Sequence, residues 1–240
     1  GYGADILAAV RGITDKPVTT IINTHTHWDH TGTNNEFPDT VNFVVHENTR
    51  AHMASQACDD GAGFEGGSIK NCNEFKGDNE KYLPETTYTD TLTLFRGSDQ
   101  IDLYHFGRGH TDGDTFVVFR AAKVMHTGDM FQRLGIPFID VPNSNGSATE
   151  FGDTLAKAVA GIPDVDTVIP GHNPVPVTWN DFVAFSSFYN DIVTRTQEGK
   201  ASGRSVDQII NAYSLPSEYS HFSAPERSLR ATVQYIFDGR

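Results

Sequence analysis

The chain has 240 residues, of which 38% are apolar, and a formal net charge of −13. This length corresponds to one large domain or two small ones, and it is sufficient to bury a hydrophobic core. The negative charge argues against nucleic acids and anionic lipid surfaces as partners, because binding to phosphate requires a basic face. No apolar run reaches the roughly 18 residues that a membrane-spanning helix needs.

Strands and helices alternate in the first part of the chain. Residues 4–12 have the apolar spacing of a short amphipathic helix, and the β-branched run at residues 16–23 predicts a buried strand. A polar loop at 31–39, a strand at 41–46 and a helix at 47–57 follow. The glycine-rich residues 58–82 have no periodicity and are predicted to form a long surface loop.

The middle of the chain is predicted to be rich in β-structure, and the end is predicted to be helical. The strand predictions are residues 91–95, 100–106, 114–120, 123–126 and 167–169. The helix predictions are residues 147–162, 179–198, 205–213 and 224–237. This alternation predicts a layered α/β architecture.

A dense group of polar side chains follows the predicted strand at residues 16–23. His25, His27, Asp29 and His30 place three imidazoles and one carboxylate within six residues. Imidazole and carboxylate together suit Zn, Fe, Mn or Ni. Residues just past the end of a strand often carry chemistry, so this motif predicts a metal site.

Three further positions repeat the pattern of a strand followed by a potential ligand. His110 follows a strand in a glycine-rich turn, Asp129 follows the strand 123–126, and His172 follows the strand 167–169. A single His or Asp in such a turn is more often structural. Their recurrence beside glycines, which allow close backbone approach, favours a shared site.

This set of residues resembles the signature of the metallo-β-lactamase superfamily, with His25-x-His27-x-Asp29-His30 followed by His110, Asp129 and His172. The resemblance implies an α/β fold, an αββα sandwich, with a site for two divalent metal ions, most often Zn²⁺ but with Fe or Mn as alternatives. It also implies which side chains bind each ion. The first ion would be bound by His25, His27 and His110, the second by Asp29, His30 and His172, and both by Asp129.

The same resemblance sets two further expectations. Members of the superfamily begin with strands upstream of the first helix, so the chain is expected to lack the first N-terminal strands of the fold. An aspartate at position 129 is typical of the glyoxalase II, lactonase and esterase branches rather than of true β-lactamases. Residues 1–177 are then predicted to form the catalytic core, and residues 178–240 a helical C-terminal extension packed on it.

The predicted function is metal-assisted hydrolysis of an ester, thioester, lactone or amide in a small-molecule substrate. Two cations lower the pKa of a water held between them, which provides a hydroxide nucleophile at neutral pH. Asp29 or Asp129 is the candidate for passing a proton to the leaving group. Asp114 is a candidate partner that orients an imidazole. The apolar segment after Asp129 predicts a substrate pocket, and its candidate walls are Phe131, Ile136 and Phe138.

Other interpretations stay open at the level of sequence. A persulfide dioxygenase of the same fold would hold one Fe(II) on His25, His110 and Asp129, and a degenerate member of the family would be a binding module without activity. Cys58 and Cys72 either form a disulfide, which would favour a periplasmic or secreted protein, or are two free thiols. The sequence does not specify the substrate, the native metal or the oligomeric state.

Overall fold

The computed structural model describes residues 2–55 and 74–240, and the chain divides into two units, Gly1–Thr89 and Asp90–Arg240. Cys58, Cys72 and most of the predicted glycine-rich loop lie outside the described residues. The tail helices belong to the same unit as the second sheet. The boundary predicted after residue 177 divides a catalytic core from a helical extension. It does not coincide with the division into these two units, and it stays a prediction.

The described part of the first unit contains a parallel sheet. Its helices and strands are α1 (Gly3–Arg11), β1 (Thr20–Ile22), α2 (Trp28–Thr31), β2 (Asn42–His46), α3 (Glu47–Ser55) and β3 (Thr86–Tyr88). The strand order is β1-β2-β3, with Ile21 beside Phe43 and Val44 beside Thr86. Strand β3 was not predicted, because its three residues, Thr-Thr-Tyr, include no aliphatic side chain to mark a buried strand.

The polar stretch after the histidine motif is not wholly a loop, which corrects the prediction for residues 31–39. Helix α2 includes Asp29 and His30 and ends at Thr31, and a 3-10 turn spans Asn34–Glu36. The Thr31 hydroxyl donates to the His27 carbonyl oxygen at 3.0 Å. This local bond helps to close the helical turn inside the motif.

The second unit contains a mixed sheet of six strands in the order β4-β5-β6-β7-β8-β9. The strands are β4 (Thr91–Leu94), β5 (Ile101–Tyr104), β6 (Phe116–Phe119), β7 (Val124–His126), β8 (Thr167–Ile169) and β9 (Val177–Thr178). Neighbouring strands are antiparallel except β7 and β8, which are parallel. Strands β5, β7 and β8 therefore run in the same direction, and their carboxyl ends lie at the same edge of the sheet.

The helices of the second unit are α4 (Val141–Ser144), α5 (Phe151–Gly161), α6 (Trp179–Ala201), α7 (Val206–Ala212) and α8 (Glu226–Asp238). Helix α5 begins four residues later than predicted, because residues 147–150 form a turn in which the Ser147 hydroxyl accepts from the Glu150 amide at 3.1 Å. Helix α6 begins with a capping box between Thr178 and Asp181. Among the described residues, no helix has the length and apolar character needed to cross a bilayer.

Phenylalanines dominate the core of the second unit. The Phe131 ring stacks on the Phe185 ring of α6 with centroids 4.4 Å apart, and the Phe151 ring meets the Tyr189 ring at 4.5 Å. All four side chains are completely buried. Phe131 is two residues beyond Asp129, so α6 packs directly behind the loop that carries this carboxylate.

Candidate metal centre

The first unit brings its predicted metal ligands together at the end of β1. His25 and His27 are buried, with His25 Nε2 and His27 Nδ1 3.1 Å apart, and the His25 and His30 rings are 4.1 Å apart. Asp29 Oδ2 lies 3.4 Å from His30 Nε2. Ring nitrogens that face each other this closely either share a proton or direct their lone pairs at one cation.

A buried pair of asparagines holds the motif in place. Asn23 Nδ2 donates to the His30 carbonyl oxygen at 2.9 Å and to Asn34 Oδ1 at 3.1 Å. Asn34 Nδ2 donates back to Asn23 Oδ1 at 2.8 Å. Asn23, which precedes the histidines, is thereby bonded to helix α2, which carries His30. This pair of asparagines was not predicted, because its only sequence signal is two polar residues flanking the motif.

The second unit brings two of its predicted ligands, both histidines, to the carboxylate of the third, Asp129. Asp129 Oδ2 lies 3.5 Å from His110 Nε2 and 3.2 Å from His172 Nε2. His110 and Asp129 are buried, whereas the His172 side chain is 36% exposed. The shared edge of β5, β7 and β8 explains this meeting, because each ligand follows one of those strands.

A backbone carbonyl oxygen lies beside the His110 ring. His110 Nδ1 lies 2.8 Å from the carbonyl oxygen of Phe138. This oxygen can only accept, so a proton on Nδ1 would donate to it and would leave the lone pair of Nε2 for a cation. Nε2 is the atom that points to Asp129, so the ring is prepared to bind a cation on that side. This contact was not predicted, because a backbone acceptor has no side-chain signature.

Asp114 lies beside the turn that carries His110, but its carboxyl group bonds to Thr111, the residue after His110. Its two carboxyl oxygens accept from the Thr111 amide at 2.7 Å and from the Thr111 hydroxyl at 2.9 Å. Burial raises the pKa of this carboxyl from 3.8 to about 7, although the bonds from Thr111 act in the opposite direction. Asp114 therefore fixes the turn after His110, and its role in orienting an imidazole stays a prediction.

Close backbone approach around Asp129 requires a glycine at position 171. A Cβ atom at this position would lie 2.2 Å from Asp129 Oδ1 and 2.8 Å from the Gly128 carbonyl oxygen. The loop after β8 can therefore carry His172 to the carboxylate only if the preceding residue has no side chain.

The three predicted pocket residues have different surroundings. Phe131 is completely buried in the core, and Ile136 is nearly so. Phe138 is half-buried, with its ring centroid 5.9 Å from the His110 ring centroid. Phe138 is thus the best placed of the three to contact a substrate beside His110, and the pocket itself stays a prediction.

The donor chemistry of both units fits a divalent metal. Each unit places imidazole and carboxylate donors just past the ends of its strands, and donors of this kind can hold such an ion. Imidazole and carboxylate donors at the strand ends of an α/β fold make this protein a candidate metalloprotein.

The model of the metallo-beta-lactamase superfamily matches residues 1–172, and the chain belongs to this superfamily. The predicted fold class, an αββα sandwich of the metallo-β-lactamase type with a helical C-terminal region, is thereby confirmed. No curated protein sequence matches the chain at a significant level.

Solved structures of several enzymes resemble this one. A metallo-beta-lactamase from Pontibacter korlensis has 18% identity and a TM-score of 0.57, with 78% of this chain and 76% of that chain covered. The DIM-1 metallo-beta-lactamase has 16% identity and a TM-score of 0.57 over 78% and 76% of the two chains. The stereoselective inverting sec-alkylsulfatase Pisa1 from Pseudomonas sp. has 14% identity and a TM-score of 0.67, covering 96% of this chain but 43% of its own. At these identities the similarity concerns the fold alone.

Proposed function

We propose that this protein is a dinuclear metal-dependent hydrolase that cleaves an ester, thioester, lactone or amide bond in a small molecule. The observation that carries the proposal is the position of Asp129 Oδ2, which lies 3.5 and 3.2 Å from the Nε2 atoms of His110 and His172. A carboxylate between two imidazoles is the arrangement expected of a ligand shared by two ions.

The proposed centre combines the donors of both units. His25, His27 and His110 would hold one ion, Asp29, His30 and His172 would hold the other, and Asp129 would be shared. Support for joining them comes from the family model, which matches residues 1–172, a range that includes all seven positions. The donors are imidazole and carboxylate throughout, which favours zinc while leaving iron and manganese as candidates.

The residues have separate tasks in the proposed reaction. The bound ions, when present, supply a hydroxide nucleophile and polarise the scissile carbonyl group. The Phe138 carbonyl oxygen, 2.8 Å from His110 Nδ1, would accept the ring proton on the side away from the site when Nε2 binds an ion. Asp29, whose side chain is 43% exposed, can exchange a proton with solvent and pass it to the leaving group. Asp129, only 5% exposed, is better suited to holding position.

A substrate panel tests this function. The purified protein, loaded with zinc, is assayed on lactones, thioesters, aryl esters and amides. A β-lactam and a secondary alkyl sulfate are added because similar structures are named for those activities. We expect turnover of at least one carbonyl substrate, and a loss of about 100-fold or more in kcat/KM for Asp129→Ala.

The matched control is Asp153→Ala, which removes an exposed carboxylate from α5 in the same unit. This variant should keep wild-type turnover. Equal activity of Asp129→Ala and the wild type would contradict the proposal, and so would a zinc-loaded protein that hydrolyses no member of the panel.

A further inference from the structure

Gln132 is a buried side chain that bonds directly to the carboxylate of Asp129. It follows the 3-10 turn Gly128–Phe131 and is 5% exposed. Its Nε2 lies 2.9 Å from Asp129 Oδ2, and its Oε1 lies 2.9 Å from the Phe138 amide nitrogen. A carboxylate only accepts and a backbone N–H only donates, so these two partners select one orientation of the amide group.

The amide of Gln132 links two of the proposed ligands through the Phe138 peptide. The peptide N–H of Phe138 donates to Gln132, and its carbonyl oxygen accepts from His110 Nδ1 at 2.8 Å. Gln132 Nε2 also lies 3.4 Å from this carbonyl oxygen and 3.3 Å from His110 Nδ1. Asp129 and His110 are therefore held relative to each other by the Gln132 side chain and by the backbone N–H and C=O of Phe138.

The backbone of Gln132 also contacts the third proposed ligand of this unit. Its carbonyl oxygen accepts from the His172 amide at 2.8 Å, and the Phe131 carbonyl oxygen accepts from the Gly171 amide at 3.2 Å. A single residue thus touches the segments that carry His110, Asp129 and His172. Its side chain fixes the plane of the Asp129 carboxylate, because rotation about Cβ–Cγ would break the bond to Nε2.

We propose that Gln132 is a positioning residue of the metal centre, which orients the shared carboxylate of Asp129 and, through Phe138, the imidazole of His110. This inference rests on the proposed function and adds to it a residue outside the predicted ligand set. Partners that orient metal ligands typically contribute 10- to 100-fold to metal affinity or activity. The side chain is neutral and touches neither the metal nor the substrate in this role.

The test compares Gln132→Met with Tyr189→Phe and the wild type. Methionine has similar length but lacks both the donor to Asp129 and the acceptor for Phe138. Tyr189→Phe is the matched control, because it removes one buried hydrogen bond, from Tyr189 Oη to the Ala148 carbonyl oxygen at 3.0 Å, in the same unit. Zinc affinity is measured by competition with a chromogenic chelator, and the visible absorption of the cobalt-substituted proteins reports the coordination geometry.

We expect zinc affinity to fall at least about 10-fold in Gln132→Met and to stay within about twofold of wild type in Tyr189→Phe, with altered cobalt bands only in Gln132→Met. Wild-type affinity and cobalt bands in Gln132→Met would overturn the inference and leave the proposed function intact. Failure of the wild type itself to bind zinc, iron or manganese would instead refute the proposed function.

A second variant keeps the test decisive if Gln132→Met does not fold. Gln132→Glu retains an oxygen for the Phe138 amide but loses the donor to Asp129. If Gln132 positions the carboxylate, kcat falls at least about 10-fold in Gln132→Glu, KM stays within about twofold, and the cobalt bands change. A residue that only anchors Phe138 would leave kcat and the cobalt bands at wild-type values, which would overturn the inference.

Discussion

At the scale of single residues, Asp114 is a buried carboxyl that makes the stability of the metal-free protein depend on pH. Burial raises its folded-state pKa from 3.8 to about 7. The folded state therefore binds its proton more tightly than the unfolded chain does. The resulting contribution to stability is complete below about pH 4 and is lost as the pH rises through about 7.

The prediction is that Asp114→Asn removes this dependence. Asparagine stays neutral, and its amide can accept from the Thr111 amide while donating to the Thr111 hydroxyl. Urea unfolding of the chelator-treated proteins between pH 5 and pH 8 gives the free energy of unfolding. Between pH 5 and pH 7, the wild type should lose up to about 1.4 kcal/mol per pH unit relative to the variant. Parallel curves for the two proteins would show that Asp114 does not titrate in this range.

The candidate ligands were predictable from their side-chain chemistry. The groups that hydrogen-bond to these ligands were not predictable. His110, Asp129 and His172 stand out because each is a potential ligand after an apolar strand. The Phe138 carbonyl and the amide of Gln132 do not stand out, since a backbone acceptor has no residue identity and a lone glutamine is ordinary. Only the folded geometry reveals that they bond to His110 and Asp129.

At the scale of elements, the direction of the strands positions the second unit's ligands. Strand β8 has the predicted bounds, and its pairing with β7, His126 beside Ile169, places the two following loops side by side. Strand β9 and helix α4 were missed, because segments of two and four residues carry no measurable periodicity. Strand β9 exists through its pairing with β8, a tertiary effect that local sequence does not encode.

Helix α6 supports the loop of Asp129 through the stacked rings of Phe185 and Phe131. We predict that Phe185→Ala lowers the free energy of unfolding by about 3–5 kcal/mol, because it leaves a cavity in the core. The control is Phe119→Ala, since this side chain on β6 is 38% exposed and should cost at most about 1 kcal/mol. Denaturant unfolding measures both, and equal losses would contradict the packing role of Phe185.

At the scale of the whole molecule, the superfamily and the fold class were predictable because one dense motif and three spaced ligands span the matched residues 1–172. The substrate was not predictable. Pocket walls depend on which apolar side chains face the site, and the buried Phe131 and half-buried Phe138 have similar sequence surroundings but different positions. The net charge of −13 makes a polyanionic substrate unfavourable, and this is the one constraint that the composition gives.

Metal content tests the central claim most directly. The protein is loaded with zinc, freed of excess ion by gel filtration and assayed for metal per chain by elemental analysis. A centre with a shared Asp129 predicts close to two zinc ions per chain in the wild type and no more than one in Asp129→Ala. A wild type that retains no zinc, or a protein that is isolated with one iron per chain and takes up no second ion, would contradict the account.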